Sequence, residues 1–160
     1  MEDIWNITAL VVSVLSVLLS LYALRQATTK NTSDMYLFFI SQYAKEDMKL
    51  ALRKLKDIKR GVYRLEQWES DMKNNLPKAF EYDEARRLVK YFYDTLAYMK
   101  LEKLIEARFV RLICLKKGAW LYLDTVEAME KFFDSGDDKK PYAVIRDVCE
   151  NLRKEGCCPP

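Results

Sequence analysis

The sequence predicts an all-α protein, with one N-terminal transmembrane helix followed by a small cytoplasmic helical bundle. Three observations carry this expectation. No charged residue interrupts the run from Ile4 to Leu24. Beyond Met35 the apolar residues recur three and four positions apart, the repeat of one helix face. Nowhere does the two-residue alternation of a half-buried strand appear.

The first run comes to about 30 Å as a helix, the hydrocarbon thickness of a bilayer. Trp5 and Tyr22 stand near its ends, where amphipathic rings favour the headgroup level. The acidic start Met1-Glu2-Asp3 and the length of the apolar stretch argue against a cleaved signal peptide. No Lys or Arg precedes the run, whereas Arg25 and Lys30 follow it. Retention of Lys and Arg on the inner side then predicts a single-pass plasma-membrane protein, N-terminus outside and C-terminal domain cytoplasmic. The expected organisation is a tip and span in residues 1–26, the span itself about 4–24, then a juxtamembrane linker at 27–34. A helical domain follows at 35–156, and a frayed tail at 157–160.

Within the domain a long helix is expected from about Met35 to Arg60. Its apolar positions are Leu37, Ile40, Ala44, Met48, Ala51, Leu55, Ile58 and Val62, with Gly61 as a stop. A shorter helix follows from Arg64 to Lys73, closed by Asn74-Asn75-Leu76-Pro77. The next runs from Tyr82 to Lys100, with Ala85, Leu88, Val89, Phe92, Leu96 and Met99 on one face. Two segments, Leu101–Leu115 and Trp120–Phe133, are divided near Lys116-Lys117-Gly118. After the loop Asp134–Asp138, Pro141 opens a last helix that reaches about Lys154 and stops at Gly156.

The composition argues against catalysis and for an interaction protein. The chain has no histidine, so the commonest general base and a common zinc ligand are missing. Its four glycines are isolated, and none forms a phosphate loop. Glu81, Asp83 and Glu84 cluster where a helix is expected to begin, which is a capping role. Cys114, Cys149, Cys157 and Cys158 read as free thiols of a reducing compartment. The ending Cys157-Cys158-Pro159-Pro160 fits a prenylation signal poorly. No metal and no cofactor is expected.

Two patterns point to binding. Ala9, Ser13, Ser16, Ser20, Ala23 and Ala27 recur every three or four positions and align small residues on one seam, which suits helix self-association and a homo-oligomer in the bilayer. Such residues can equally bond to their own backbone. On the long helix, Lys45, Lys49, Arg53, Lys56, Arg60 and Arg64 share one side, opposite the apolar stripe. Like charges so spaced repel, and this suggests an anionic partner: an anionic lipid, a phosphorylated ligand such as a cyclic nucleotide, or less favourably a nucleic acid. The alternative is a solvated face, or one matched by Glu66, Glu69 and Asp71 of the next helix.

The segment from Asp83 to Asp94, with Arg86, Arg87, Tyr91, Phe92 and Tyr93, continues through Leu101-Glu102-Lys103-Leu104-Ile105. It resembles a family of short, uncharacterised prokaryotic membrane-anchored helical proteins over about residues 83–133. Where that family's turn carries glycine, this chain has Tyr98-Met99-Lys100-Leu101. The resemblance implies the anchored helical layout and supplies no established activity. In layout only, the chain is also similar to small membrane-anchored effectors of prokaryotic immunity, some of which bind a cyclic nucleotide. The function expected is therefore a self-associating, membrane-anchored interaction or scaffold protein. A membrane effector gated by a phosphorylated signal is the alternative, and an enzyme comes third.

Overall fold

The structure, a computed structural model, describes residues 2–116, 118–133 and 139–157. Within them the side chains of residues 2–14, 24, 25 and 27–32 are not described. The described residues are helical and divide into two compact units, residues 1–37 and 38–160.

The first unit lies within α1 (Glu2–Ala44). The expected linker at 27–34 is part of this helix, not a break. Among the described residues no helix is long and apolar enough to cross a membrane. The transmembrane span at 4–24, the single-pass topology and the plasma-membrane placement are corrected accordingly. Among the described side chains, α1 carries Leu15 to Ala23 and then Gln26, Ser33 and Asp34, without the roughly 20 consecutive apolar residues that a bilayer core requires. Residues 4–14 of the expected span lie outside the described side chains.

The second unit begins with the last turns of α1 and continues through α2 (Glu46–Lys59), α3 (Leu65–Lys73), α4 (Pro77–Leu101) and α5 (Ala107–Cys114). A further helical stretch joins α6 (Gly118–Leu121), a π-helical turn at Tyr122–Val126, α7 (Glu127–Glu130) and a 3-10 turn at Lys131–Phe133. The helix α8 (Lys140–Lys154) ends the bundle, with Pro141 in its first turn as expected. α4 is the central helix and packs against α2, α3, α8 and the π-helical turn.

The expected helix from Met35 to Arg60 is instead two helices. Lys45 leaves helical geometry at φ −60°, ψ 148° although no glycine or proline stands there. Burial explains the break. Phe39 is buried and Tyr43 packs on Phe92, whereas the buried face of α2 is Met48, Ala51, Leu55 and Ile58. Tyr43 and Met48 are five positions apart, so an unbroken helix would rotate one about 140° away from the other. Unwinding one residue aims both at the core.

Asn75, at φ 54°, turns the chain out of α3, and Pro77 then opens α4 five residues earlier than expected. Trp68 of α3 is fully buried. Its indole N–H donates to the Ala79 carbonyl at 3.2 Å, and its ring meets Phe132 and Phe133 edge-on. The π-helical turn sits where three tyrosines stack. The Tyr122 ring lies between Tyr93 (centroids 5.1 Å) and Tyr142 (4.6 Å), and its hydroxyl donates to Asp94 at 2.5 Å. Gly118 is tightly enclosed: a Cβ there would stand 2.7 Å from Tyr93 Oη and 3.0 Å from Tyr43 Oη.

Candidate functional site

Three features of the second unit are candidates. The first is the basic face of α2. Lys49, Arg53 and Lys56 lie on the exposed side of the helix, and Arg60 is its C-terminal cap residue. Lys45 and Arg64 hold the extended N-cap positions of α2 and α3, so they flank the row and do not continue it. All six are exposed. Lys49 is 3.5 Å from Glu46 across open solvent, a pair worth little. Among the described residues no carboxylate pairs with Arg53, Lys56 or Arg60.

The neighbouring bases behave differently. Lys54 pairs with Glu81 of α4 at 2.9 Å, and Lys59 with Asp124 of the π-helical turn at 2.6 Å. Those two tie α2 to the bundle, and the row beside them stays open. The acids of α3 do not cover it: Asp71 accepts a hydrogen bond from the Tyr63 hydroxyl at 2.7 Å. Burial, and then that bond, push the Tyr63 phenol above its usual range.

The second candidate is a buried ionic lattice between α4 and α7. Arg86, 7% exposed, pairs with Asp83 at 2.7 Å and with Glu130, and its guanidinium faces the Phe133 ring at 4.5 Å. Arg87 takes the other Asp83 oxygen at 2.6 Å. Lys90 reaches Asp94 at 2.9 Å and Glu130 at 4.0 Å. The expectation that Asp83 stands where a helix begins is corrected: Asp83 and Arg86 both lie beyond the first turn of α4, on its buried face. Three bases thus meet three carboxylates, with every charge matched. Such a lattice orients helices and leaves no carboxylate free for acid–base work. A signal for it was present, since Asp83 and Arg86 fall among Ala79, Tyr82 and Val89 on one helical face.

The third candidate is a cavity of about 420 Å³ between α8 and the stretch from Trp120 to Lys131. Its polar lining is mixed, with Asp124, Glu127 and Glu150 beside Lys131, Arg146 and Arg153. Arg146 pairs with Glu127 across it, and Cys149 lies in its wall. The sequence did not mark this place, because its residues come from elements brought together only by packing. Among the described residues no group of His, Cys, Asp and Glu could hold a metal ion.

In the first unit, the small-residue seam is described in part. Ala9, Ser13 and Ala27 lie outside the described side chains, whereas Ser16, Ser20 and Ala23 are exposed. The Ser20 hydroxyl donates to the Ser16 carbonyl at 2.8 Å, so it is satisfied within its own helix. Around it Leu15, Val17, Leu18, Leu19, Leu21 and Tyr22 are each more than half exposed. No family model, curated protein or solved structure matches this chain.

Proposed function

We propose that the chain is a non-catalytic, self-associating interaction protein, in which the apolar part of α1 joins copies and the basic face of α2 meets an anionic partner. The observation that carries this reading is the exposure of Leu15 through Tyr22 on every side of the helix. At about 25 cal/mol per Å², leaving six large apolar side chains in water is costly. A helix apolar all round belongs in a core, and copies of the same helix provide one. The seam suits close approach, because Ser20 spends its hydroxyl on its own backbone and presents little bulk.

The full chain should therefore sediment as one discrete oligomer, and cross-linking should trap the same species. Replacing Ser16 and Ser20 together with leucine should disperse it, although the segment becomes more apolar. A monomer at micromolar concentration, or an oligomer untouched by that double change, would overturn the reading.

The absence of carboxylate partners at Arg53, Lys56 and Arg60, among the described residues, supports a phosphorylated ligand for the basic face. Titrating the full chain with a cyclic dinucleotide and with inorganic polyphosphate at low salt tests this. Stoichiometric binding that is lost in Arg53→Glu is expected. Binding to neither, or binding only to an oligonucleotide, would sink it.

A further inference from the structure

The cavity beside α8 takes its charges from two walls. Asp124, Glu127 and Lys131 come from the stretch that runs through α7, and Arg146, Glu150 and Arg153 share one face of α8. Three of these six are matched within the protein. Arg146 pairs with Glu127 across the cavity, and Asp124 pairs with Lys59 of α2. The other three are not. Among the described residues the side chains of Lys131, Glu150 and Arg153 make no hydrogen bond and no ion pair. Glu150 and Arg153 stand three positions apart on α8, a spacing at which opposite charges can meet, yet they do not pair with each other. Between the charges the lining is apolar, with Trp120 half-buried and Leu123 buried.

We propose that this cavity binds a small amino-dicarboxylate: one ammonium and two carboxylates on a short aliphatic stem. The match is of charge and of size. Two unmatched cations and one unmatched carboxylate line the cavity, the inverse of the charges such a molecule carries. Arg153 offers a planar fork that holds a carboxylate through two parallel N–H bonds. Lys131, from the opposite wall, offers a point charge to the second carboxylate, and Glu150 accepts from the ammonium. The stem lies on Trp120 and Leu123. At about 420 Å³ the cavity stands near the lower end of the range for small-molecule sites, which suits a ligand of this size.

Specificity follows from the same three charges. A dicarboxylate without the amine brings like charge to Glu150 with nothing to meet it. A monocarboxylic amino acid leaves one cation unmatched. Both are therefore disfavoured against a ligand that carries all three groups.

Titrating the full chain with L-glutamate at low salt, followed by calorimetry and by tryptophan emission, tests the proposal. One site per chain is expected, with an emission change that Trp120→Phe removes while the heat remains. Glutarate and L-leucine should each bind more weakly than L-glutamate by about tenfold. Arg153→Ala should weaken L-glutamate by a similar factor, and Glu150→Gln should remove the preference over glutarate. Both side chains are exposed, so these changes should leave the far-ultraviolet circular dichroism as it is. No heat with L-glutamate at millimolar concentration would overturn the proposal. So would glutarate binding as tightly as L-glutamate, or binding kept in Arg153→Ala and lost in Arg53→Glu, which would put the ligand on the basic face of α2.

Discussion

Arg86 shows how a single charged side chain can decide the packing of two helices. It sits between Asp83 and Glu130, itself almost fully buried, and all three lose water together. Replacing it with leucine removes one base and leaves two carboxylates in a low dielectric. Arg86→Leu is expected to destabilise the fold by about 3–5 kcal/mol, measured by urea unfolding. A loss near zero would mean that water reaches the site. Gly118 is the opposite case, an absence of side chain that the core requires. Its N–H donates to Tyr43 Oη at 3.2 Å, and the space for a Cβ is occupied by Tyr93 Oη, Tyr43 Oη and Leu52 Cδ2. The Tyr93 hydroxyl is buried and held by its stacked ring, so it cannot withdraw freely. Gly118→Ala should cost about 1–3 kcal/mol in the same assay, from overpacking rather than backbone strain.

At the scale of the element, α1 and α2 mark where periodicity succeeds and where it fails. The face Met48, Ala51, Leu55 and Ile58 was readable from spacing and is buried. Leu37 and Val62, counted on the same stripe, are 61% and 74% exposed, because the stripe was drawn through a break at Lys45 and past the end at Arg60. The five-residue step from Tyr43 to Met48 is the trace of that break in the sequence. Its meaning depends on Phe92 being there to receive Tyr43. Lys45 occupies the N-cap of α2 with no side-chain bond to the first-turn amides. Aspartate there would accept such a bond and favour the helix dipole. Lys45→Asp should therefore raise stability by about 1 kcal/mol, read from the thermal midpoint. It also puts an acid in place of a base that flanks the basic row, so stability should rise while anion affinity falls in one variant.

At the scale of the whole molecule, the second unit is unusually rich in buried phenols. Burial raises Tyr43, Tyr63, Tyr82, Tyr93 and Tyr122 above their ordinary pKa near 10, with Asp71 adding to the effect at Tyr63 and Asp94 at Tyr122. Each favours the neutral form in the fold more than in the open chain. Their contribution to stability is thus complete below pH 10 and lost as the pH climbs from 10 toward the folded-state values. Unfolding free energy measured against pH should fall above pH 10. Absorbance near 295 nm should show these phenols ionising only as the chain opens; free titration of all ten tyrosines near pH 10 would refute it.

By itself the sequence determined the all-helical class, most of the helix stops, the buried stripe of α2 and the basic row beside it. These depend on neighbours three or four positions apart, and a linear pattern records such neighbours directly. Only the tertiary structure decided the break at Lys45, the matched lattice around Arg86 and the cavity beside α8. It also replaced the expected membrane span by a helix that, among the described residues, is not long and apolar enough to cross a bilayer. Each of these joins side chains distant along the chain, or depends on which faces find a partner. Burial against such partners outweighs the tenths of a kcal/mol by which local spacing favours one geometry over another.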